Sequence, residues 1–331
     1  MGEAPIGASG AVIDAARAVL RRALLRRGSL ARRDAYRVLN GPGDGGPAGL
    51  AIDRYLSFGV IIAREGVEAS VVEAYVEACE RELLFEGIVV KRVPRSGPVT
   101  NEVRRGEARS LDVHEEDAVL TVELAEGLAT GLYLDHHETR RRIRSYVRRT
   151  PASDPRGEVL NLFAYTGAFS VHAALAGAHR VTSVDVSRRS LRRAAENFRK
   201  SGLAPGEHAF VDADVGSFLR KAARKGRRFG VVVLDPPAFG RAGGRKMSLE
   251  RDLEELVQAA TEVLVPGGVV VLSVHAQKIS MDRMVSSLRG SPHRYEELGR
   301  FGLPSSDHPT SLQDDPEDRG AYLKVVDARL G

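Results

Sequence analysis

From Gly131 onward, short apolar runs alternate with helix-period segments, and this alternation constrains the fold more than any other feature of the chain. Strand-like runs at residues 159–163, 180–184, 208–211, 231–234 and 269–273 are separated by amphipathic stretches at 171–176, 187–200, 215–225 and 249–264, with a last one at 282–288. Such a pattern predicts an α/β fold with a doubly wound, mostly parallel sheet. Two final runs, 295–299 and 322–328, flank a polar loop and are expected to form an antiparallel pair at the sheet edge. Upstream, strand-like runs at 59–63, 87–92 and 118–122 surround a helical segment at 71–84, which predicts a small α+β domain. Residues 11–27 read as an amphipathic helix with Val12, Ala15, Ala16, Val19 and Ala23 on one side and Arg17 and Arg21 on the other. Glycine and proline crowd positions 41–47 and break regular structure there. The expected organisation is a basic helical segment at 1–40, the small domain at 41–125 and the α/β domain at 126–331.

Ligands of such sheets bind outside the carboxyl ends of the strands, so the residues leaving each strand carry the functional reading. The first strand runs from Asn161 through Phe163 and Tyr165 to Gly167, and a glycine there is expected to let the backbone approach a ligand. Phe163 and Tyr165 occupy positions where a dinucleotide fingerprint needs small residues, which argues against a nicotinamide enzyme. Asp185 ends the second strand, 18 residues beyond Gly167, where a carboxylate can accept hydrogen bonds from ribose hydroxyls. Asp214 follows the third strand and could accept from an adenine amino group; either aspartate alone could equally be a helix N-cap. After the fourth strand come Asp235, Pro236, Pro237, Ala238 and Phe239. The prolines remove two donors, which leaves carbonyl groups and the Asp235 carboxylate to accept from a base and Phe239 to stack on it. A plain strand-ending turn is the alternative.

Composition supplies the setting. A chain of 331 residues that is 43% hydrophobic suits about two domains of roughly 150 residues each. The lone Cys79 excludes an internal disulfide framework and suits a reducing compartment. With no signal-peptide opening and no apolar run of about 18 residues, a cytoplasmic, membrane-free location is expected. The net charge of +5 favours a polyanion only modestly, but basic residues cluster at 17–37, 140–149, 220–228 and 241–246. These runs either contact phosphates or form solvated faces. Adjacent His136 and His137 lack helical i, i+4 partners, so no metal is expected.

These residues, as an ordered set, resemble the bacterial 23S ribosomal RNA methyltransferases of the large-subunit I and K type. The likeness adds Gly131-Leu132-Tyr133-Leu134-Asp135-His136-His137, Pro266-Gly267-Gly268, Asp307-His308-Pro309 and Gly320-Ala321-Tyr322-Leu323-Lys324, and covers residues 37–328. It implies a Rossmann-like class I methyltransferase that uses S-adenosyl-L-methionine, takes part in rRNA processing and binds ribosomal RNA or a pre-ribosomal particle. It further implies that Asn161, Phe163, Tyr165, Gly167, Asp185, Val186, Asp214 and Asp235 line the cofactor site, that Tyr133 and Leu134 cover it, and that Asp235, Pro236, Pro237 and Phe239 face the methyl group and the base. The N-terminal RNA-binding domain of the type I members is not matched; a short Arg-rich helix stands in its place. Monomer and homodimer both remain open.

One departure bears on the chemistry. Methylation of cytosine carbon 5 needs a thiolate that adds to carbon 6. In the cytosine-modifying members that cysteine follows the strand after the Gly-Gly turn, and here His275 occupies about that place. Cys79 lies in a helical segment of the other domain and reads as a core residue. Direct transfer to a ring or exocyclic nitrogen is therefore expected, with His275 either orienting the base or capping the following turn. The alternatives are cytosine methylation with another nucleophile and a small-molecule or protein methyltransferase.

Overall fold

The computed structural model describes residues 8–107, 109–149, 157–237, 239–242, 245–291, 293–310 and 322–331, with backbone alone at 239–242 and 245–247. Ala238, Gly320 and Ala321 lie outside the described residues. The chain divides into two compact units. The first comprises residues 1–116, 121–135 and 304–319, and the second residues 117–120, 136–303 and 320–331. The division does not follow a boundary near residue 40. The N-terminal helix and the middle segment share one core, and the glycine- and proline-rich stretch 41–47 lies within the same unit.

The first unit contains α1 (Gly10–Arg26), β1 (Ala35–Asn40), β2 (Leu50–Tyr55), β3 (Phe58–Arg64), α2 (Ala69–Glu82), β4 (Gly87–Val93) and β5 (Thr100–Arg105), followed by β6 (Ser110–Glu115) and β7 (Ala118–Glu123), which form a two-stranded sheet through which the division passes. Strands β1 to β5 pair in sequence order, antiparallel except for the parallel β3–β4 pair that α2 connects. The helical periodicity of α1 is as expected, but its buried face is Ile13, Ala16, Leu20 and Ala23, whereas Val12 is exposed. Those four recur at i, i+3, i+7 and i+10, one stripe along the helix, and they join Val72, Tyr75 and Cys79 of α2 and Ile52, Ile61 and Val90 of the sheet in a single core.

A buried ion pair ties three segments of this unit together. Arg27, one residue past α1, forks onto both carboxylate oxygens of Asp44, with Nη2 2.7 Å from Oδ2. It also donates to the Arg37 carbonyl of β1 at 3.0 Å and to the Asp307 carbonyl at 2.9 Å. Asp44 Oδ2 accepts in addition from the Asn40 amide. A desolvated guanidinium survives only when its donors are used in this way.

The second unit contains α3 (His137–Arg148), β8 (Glu158–Leu162), α4 (Ala168–Leu175), β9 (Arg180–Asp185), α5 (Arg188–Lys200), β10 (Ala209–Asp212), α6 (Val215–Arg224) and β11 (Phe229–Leu234), then the hairpin β12 (Phe239–Ala242) and β13 (Arg245–Ser248), α7 (Leu249–Thr261), β14 (Leu264–His275), α8 (Met281–Arg289), β15 (Tyr295–Phe301) and β16 (Leu323–Leu330). Its seven-stranded sheet has the order β10-β9-β8-β11-β14-β16-β15. The first five strands are parallel, and β16 and β15 close the edge as the expected antiparallel pair. Leu160, Leu162, Val232, Leu234, Val270 and Leu272 turn one face of the sheet into a core with α6, α7 and α8. Strand β14 starts earlier than the run at 269–273 suggests. Its register against β11 jumps between Leu264 and Val269, because Gly267 takes a φ of 75° and the Pro266-Gly267-Gly268 segment bulges from the ladder. Among the described residues no helix is long and apolar enough to cross a membrane.

Lys91 offers a titration test of the first unit. Its side chain is fully buried and donates to the carbonyls of Gly127 at 2.7 Å and Glu126 at 3.2 Å. Burial pushes its pKa down to about 8, with Asp53 and Glu126 opposing. Between about 8 and about 10.5 the unfolded chain therefore holds a proton that the folded chain has released, and stability contributed by this site rises with pH. In urea unfolding, wild type should gain up to about 1.4 kcal/mol per pH unit over Lys91→Met across that window; identical slopes would contradict the assignment.

Candidate active site

The carboxyl ends of β8, β9 and β10 are held together by one residue, Asp185. Asp185 Oδ2 accepts from the Tyr165 amide at 2.9 Å, and Oδ1 accepts from the Ser187 amide at 2.8 Å. The Asp185 carbonyl accepts from the Ala213 amide at 3.1 Å. Asp185 is thus not an N-cap, since Ser187 caps α5 by accepting from the Ser190 amide. Asp214 does cap its helix, accepting from the Ser217 amide at 2.9 Å through Oδ1. Each Asp185 oxygen carries two lone pairs, so the carboxylate that organises the turns can also accept from a ligand hydroxyl. Beside it the Val186 side chain is 60% exposed, an apolar surface on which a flat ring could lie.

The β8–α4 turn is strained. Phe163 and Tyr165 adopt φ values of 58° and 49°, and Gly167 one of 77°. An L-residue pays about 1–2 kcal/mol for this region, and the surroundings hold both aromatic residues there. The Ala164 amide donates to Val184 O at 3.0 Å, and the buried Asn197 of α5 donates to Thr166 O at 2.9 Å. Gly167 also has a packing role. A Cβ on it would lie 2.7 Å from the Ala194 Cβ of α5, so its missing side chain admits a neighbouring helix. Asn161 is fully buried and donates to Ser170 Oγ at 2.9 Å, which in turn meets Ser183 Oγ at 2.8 Å; it fastens α4 to the sheet from beneath the turn.

Asp235 leaves β11 half-buried, with Pro236 buried and Pro237 exposed after it. The buried His136 places Nε2 3.6 Å from Asp235 Oδ2 and 3.4 Å from Ser273 Oγ, while its Nδ1 lies 3.3 Å from Thr139 Oγ1. His275, the last residue of β14, stacks on His136 with ring centroids 4.9 Å apart and a 23° interplanar angle. Phe169 meets His136 edge-on at 5.1 Å, and Tyr322 meets His275 edge-on at 6.0 Å. A carboxylate, two imidazoles and two aromatic rings therefore converge at the ends of β11 and β14. The backbone of Phe239 opens β12, and its side chain lies outside the described residues. Tyr133 and Leu134 belong to the first unit, Tyr133 exposed and Leu134 buried.

His136 is the residue that sequence reasoning missed, having weighed it only as a metal ligand. A signal was present: His136, Arg140, Ile143 and Val147 repeat at helical spacing, and all are buried. The basic clusters also sort themselves. Arg17 and Arg21 bind Glu82, Arg37 binds Asp53, Arg142 binds Asp327, and Arg144 grips Asp117, so much of the positive charge at 17–37 and 140–149 is spent on the fold. The side chains of 241–246 lie outside the described residues.

A model of S-adenosylmethionine-dependent methyltransferases matches residues 88–299. The ribosomal RNA large subunit methyltransferase I of Klebsiella pneumoniae is 34% identical over 332 residues, spanning 94% of this chain and 78% of the relative. The ribosomal RNA large subunit methyltransferase of Deinococcus radiodurans is 31% identical over 308 residues, spanning 88% and 72%. Among solved structures, SMU.776, whose name assigns it to the methyltransferases and which was crystallised with SAH, superposes with a TM-score of 0.83 at 25% identity, covering 96% of this chain and 81% of that one.

The turn supplies its own test. Gly167→Ala should destabilise the protein in urea unfolding by about 1–2 kcal/mol from its φ plus the cost of the contact with Ala194. Ala194→Gly in the same background should recover the contact part alone; a Gly167→Ala variant as stable as wild type would refute this reading of the turn.

Proposed function

The chain belongs to the S-adenosylmethionine-dependent methyltransferase family, and from that premise we propose that it methylates a base of large-subunit ribosomal RNA, at a nitrogen atom. The relatives named for large-subunit ribosomal RNA methylation support the substrate, because they align over 88–94% of the chain. The observation that carries the chemical reading is Asp235 at the end of β11, held beside a buried, stacked histidine pair.

S-adenosylmethionine, when bound, supplies a methyl group made electrophilic by its sulfonium. The residues present suit it. Asp185 accepts from ribose hydroxyls on the lone pairs its two amide bonds leave, Val186 offers its exposed face to the adenine, and Asp214 stands at the next strand end for the amino group. Phe163 and Tyr165 shape the cradle from the strained turn.

At the other end, Asp235 accepts a hydrogen bond from an amino or imino group of the target base. Two successive prolines contribute no N–H, so the turn presents acceptors. His136 orients Asp235, and His275 extends the aromatic wall against which a planar base packs. A ring nitrogen already offers a lone pair, so holding the reacting atoms at about 3–3.5 Å and in line supplies most of the catalysis. For an exocyclic amine, Asp235 would also take the proton.

Carbon methylation of cytosine lacks its nucleophile in this site. Cys79 is buried in the core of the first unit, and burial drives its thiol pKa far up, against the thiolate.

With tritiated S-adenosylmethionine and large-subunit ribosomal RNA, the protein is expected to transfer label to RNA. Asp235→Asn should lower the rate about 100-fold or more while cofactor affinity stays unchanged, and Cys79→Ala should remain active. Failure of wild type to label RNA while it binds cofactor would exclude the substrate; loss of transfer in a folded Cys79→Ala variant would exclude the nitrogen chemistry.

A further inference from the structure

The edge of the second unit's sheet opposite to Asp185 and Asp235 gathers exposed cations. Helix α3 starts next to His136, beside Asp235, and its 12 residues at about 1.5 Å each carry Arg148 and Arg149 about 18 Å toward that opposite edge. Strand β9 begins there with Arg180. Helix α6 leaves the carboxyl edge at Asp214 and ends in a turn that brings Arg224, Lys225 and Arg228 immediately before β11. Strands β9, β8 and β11 are consecutive neighbours in the sheet, so Arg180 and the 224–228 turn stand at the starts of strands two places apart, while α3, packed on α4, ends toward the same edge. All six side chains are exposed, and none of them is ion-paired among the described residues. Glu158, the acidic residue that opens β8 at this edge, is matched by a further cation, Arg227, at 3.6 Å.

We propose that this amino-terminal edge is a second RNA-binding surface, which holds the sugar–phosphate backbone of the ribosomal RNA about one strand length from the reacting end; the proposal rests on RNA being the substrate. Exposed cations that outnumber the carboxylate at their edge match a polyphosphate, and each phosphate neutralised releases a counterion. Cations at the ends of α3 and α6 also complement the helix dipoles, but that effect fades within the last turn. Arg180 on a strand and Arg228, four residues past α6, serve no helix end. A folded RNA that delivers one base to Asp235 spans far more than one strand, so contacts at both edges of the sheet are compatible with a single bound substrate.

The test compares wild type with Arg224→Gln/Lys225→Gln/Arg228→Gln and with Arg148→Gln/Arg149→Gln, using a transcript of large-subunit ribosomal RNA over a range of salt concentrations. The triple variant is expected to bind the transcript about tenfold or more weakly and to show a log–log salt slope shallower by about two to three. Its affinity for S-adenosylmethionine and its melting temperature should match wild type. RNA affinity and salt slope equal to wild type in both variants would overturn the proposal. So would a lowered melting temperature with unchanged RNA affinity, which would assign these cations to the helix ends. A wild type that fails to bind the transcript would overturn the RNA substrate as well, whereas normal binding by both variants leaves that reading intact.

Discussion

Two backbone amides, those of Tyr165 and Ser187, converge on the Asp185 carboxylate, and the turns after β8 and β9 depend on that convergence. One side chain fixes the loop after β8 and the loop after β9, and its own carbonyl receives the loop after β10. The β8–α4 turn could not keep Phe163 and Tyr165 at positive φ without such external bonds, since each would relax to an ordinary region by rotating out of the site. Strain stored in the turn is thus balanced by hydrogen bonds whose acceptor also faces the cradle. A substitution at Asp185 would act on structure and on ligand binding together, which is why Asp235, further along the sheet, is the cleaner probe of chemistry.

Charge plays two parts that the sequence does not distinguish. In the first unit Arg27 is fully committed to Asp44 and three carbonyls, and breaking one partner of such a buried pair costs about 3–5 kcal/mol because the other is left uncompensated. Arg142, with Tyr146, faces Asp327 on β16, where burial holds the carboxyl above its usual range despite both partners. These arginines would look like phosphate ligands to any count of basic residues. The exposed cations near the amino-terminal edge of the second sheet make no such buried pairs among the described residues.

Much of the second unit was legible because its strands are continuous apolar runs and its helices have strong amphipathic periods; the helix at 215–225 and the edge pair near 295 and 322 fall where the pattern puts them. The first unit was harder. Strands β1, β2, β5 and β6 carry charged residues such as Arg37, Asp53 and Arg104, which read as loop but are satisfied across the sheet or by α2. The site divided in the same way. Strand-end aspartates are visible in one dimension, because topology alone places them. The contact of Gly167 with Ala194 and the approach of His136 to Asp235 depend on helix packing between segments distant in the chain, for which local pattern carries no information.

A methyltransferase whose reacting end holds a carboxylate and stacked imidazoles, with its sole thiol locked in another core, is proposed to methylate nitrogen. The most direct measurement is mass spectrometry of nucleosides from ribosomal RNA treated with the protein and isotopically labelled S-adenosylmethionine. The expected result is label in one nucleoside methylated on a base nitrogen. Label in 5-methylcytidine would exclude nitrogen as the acceptor.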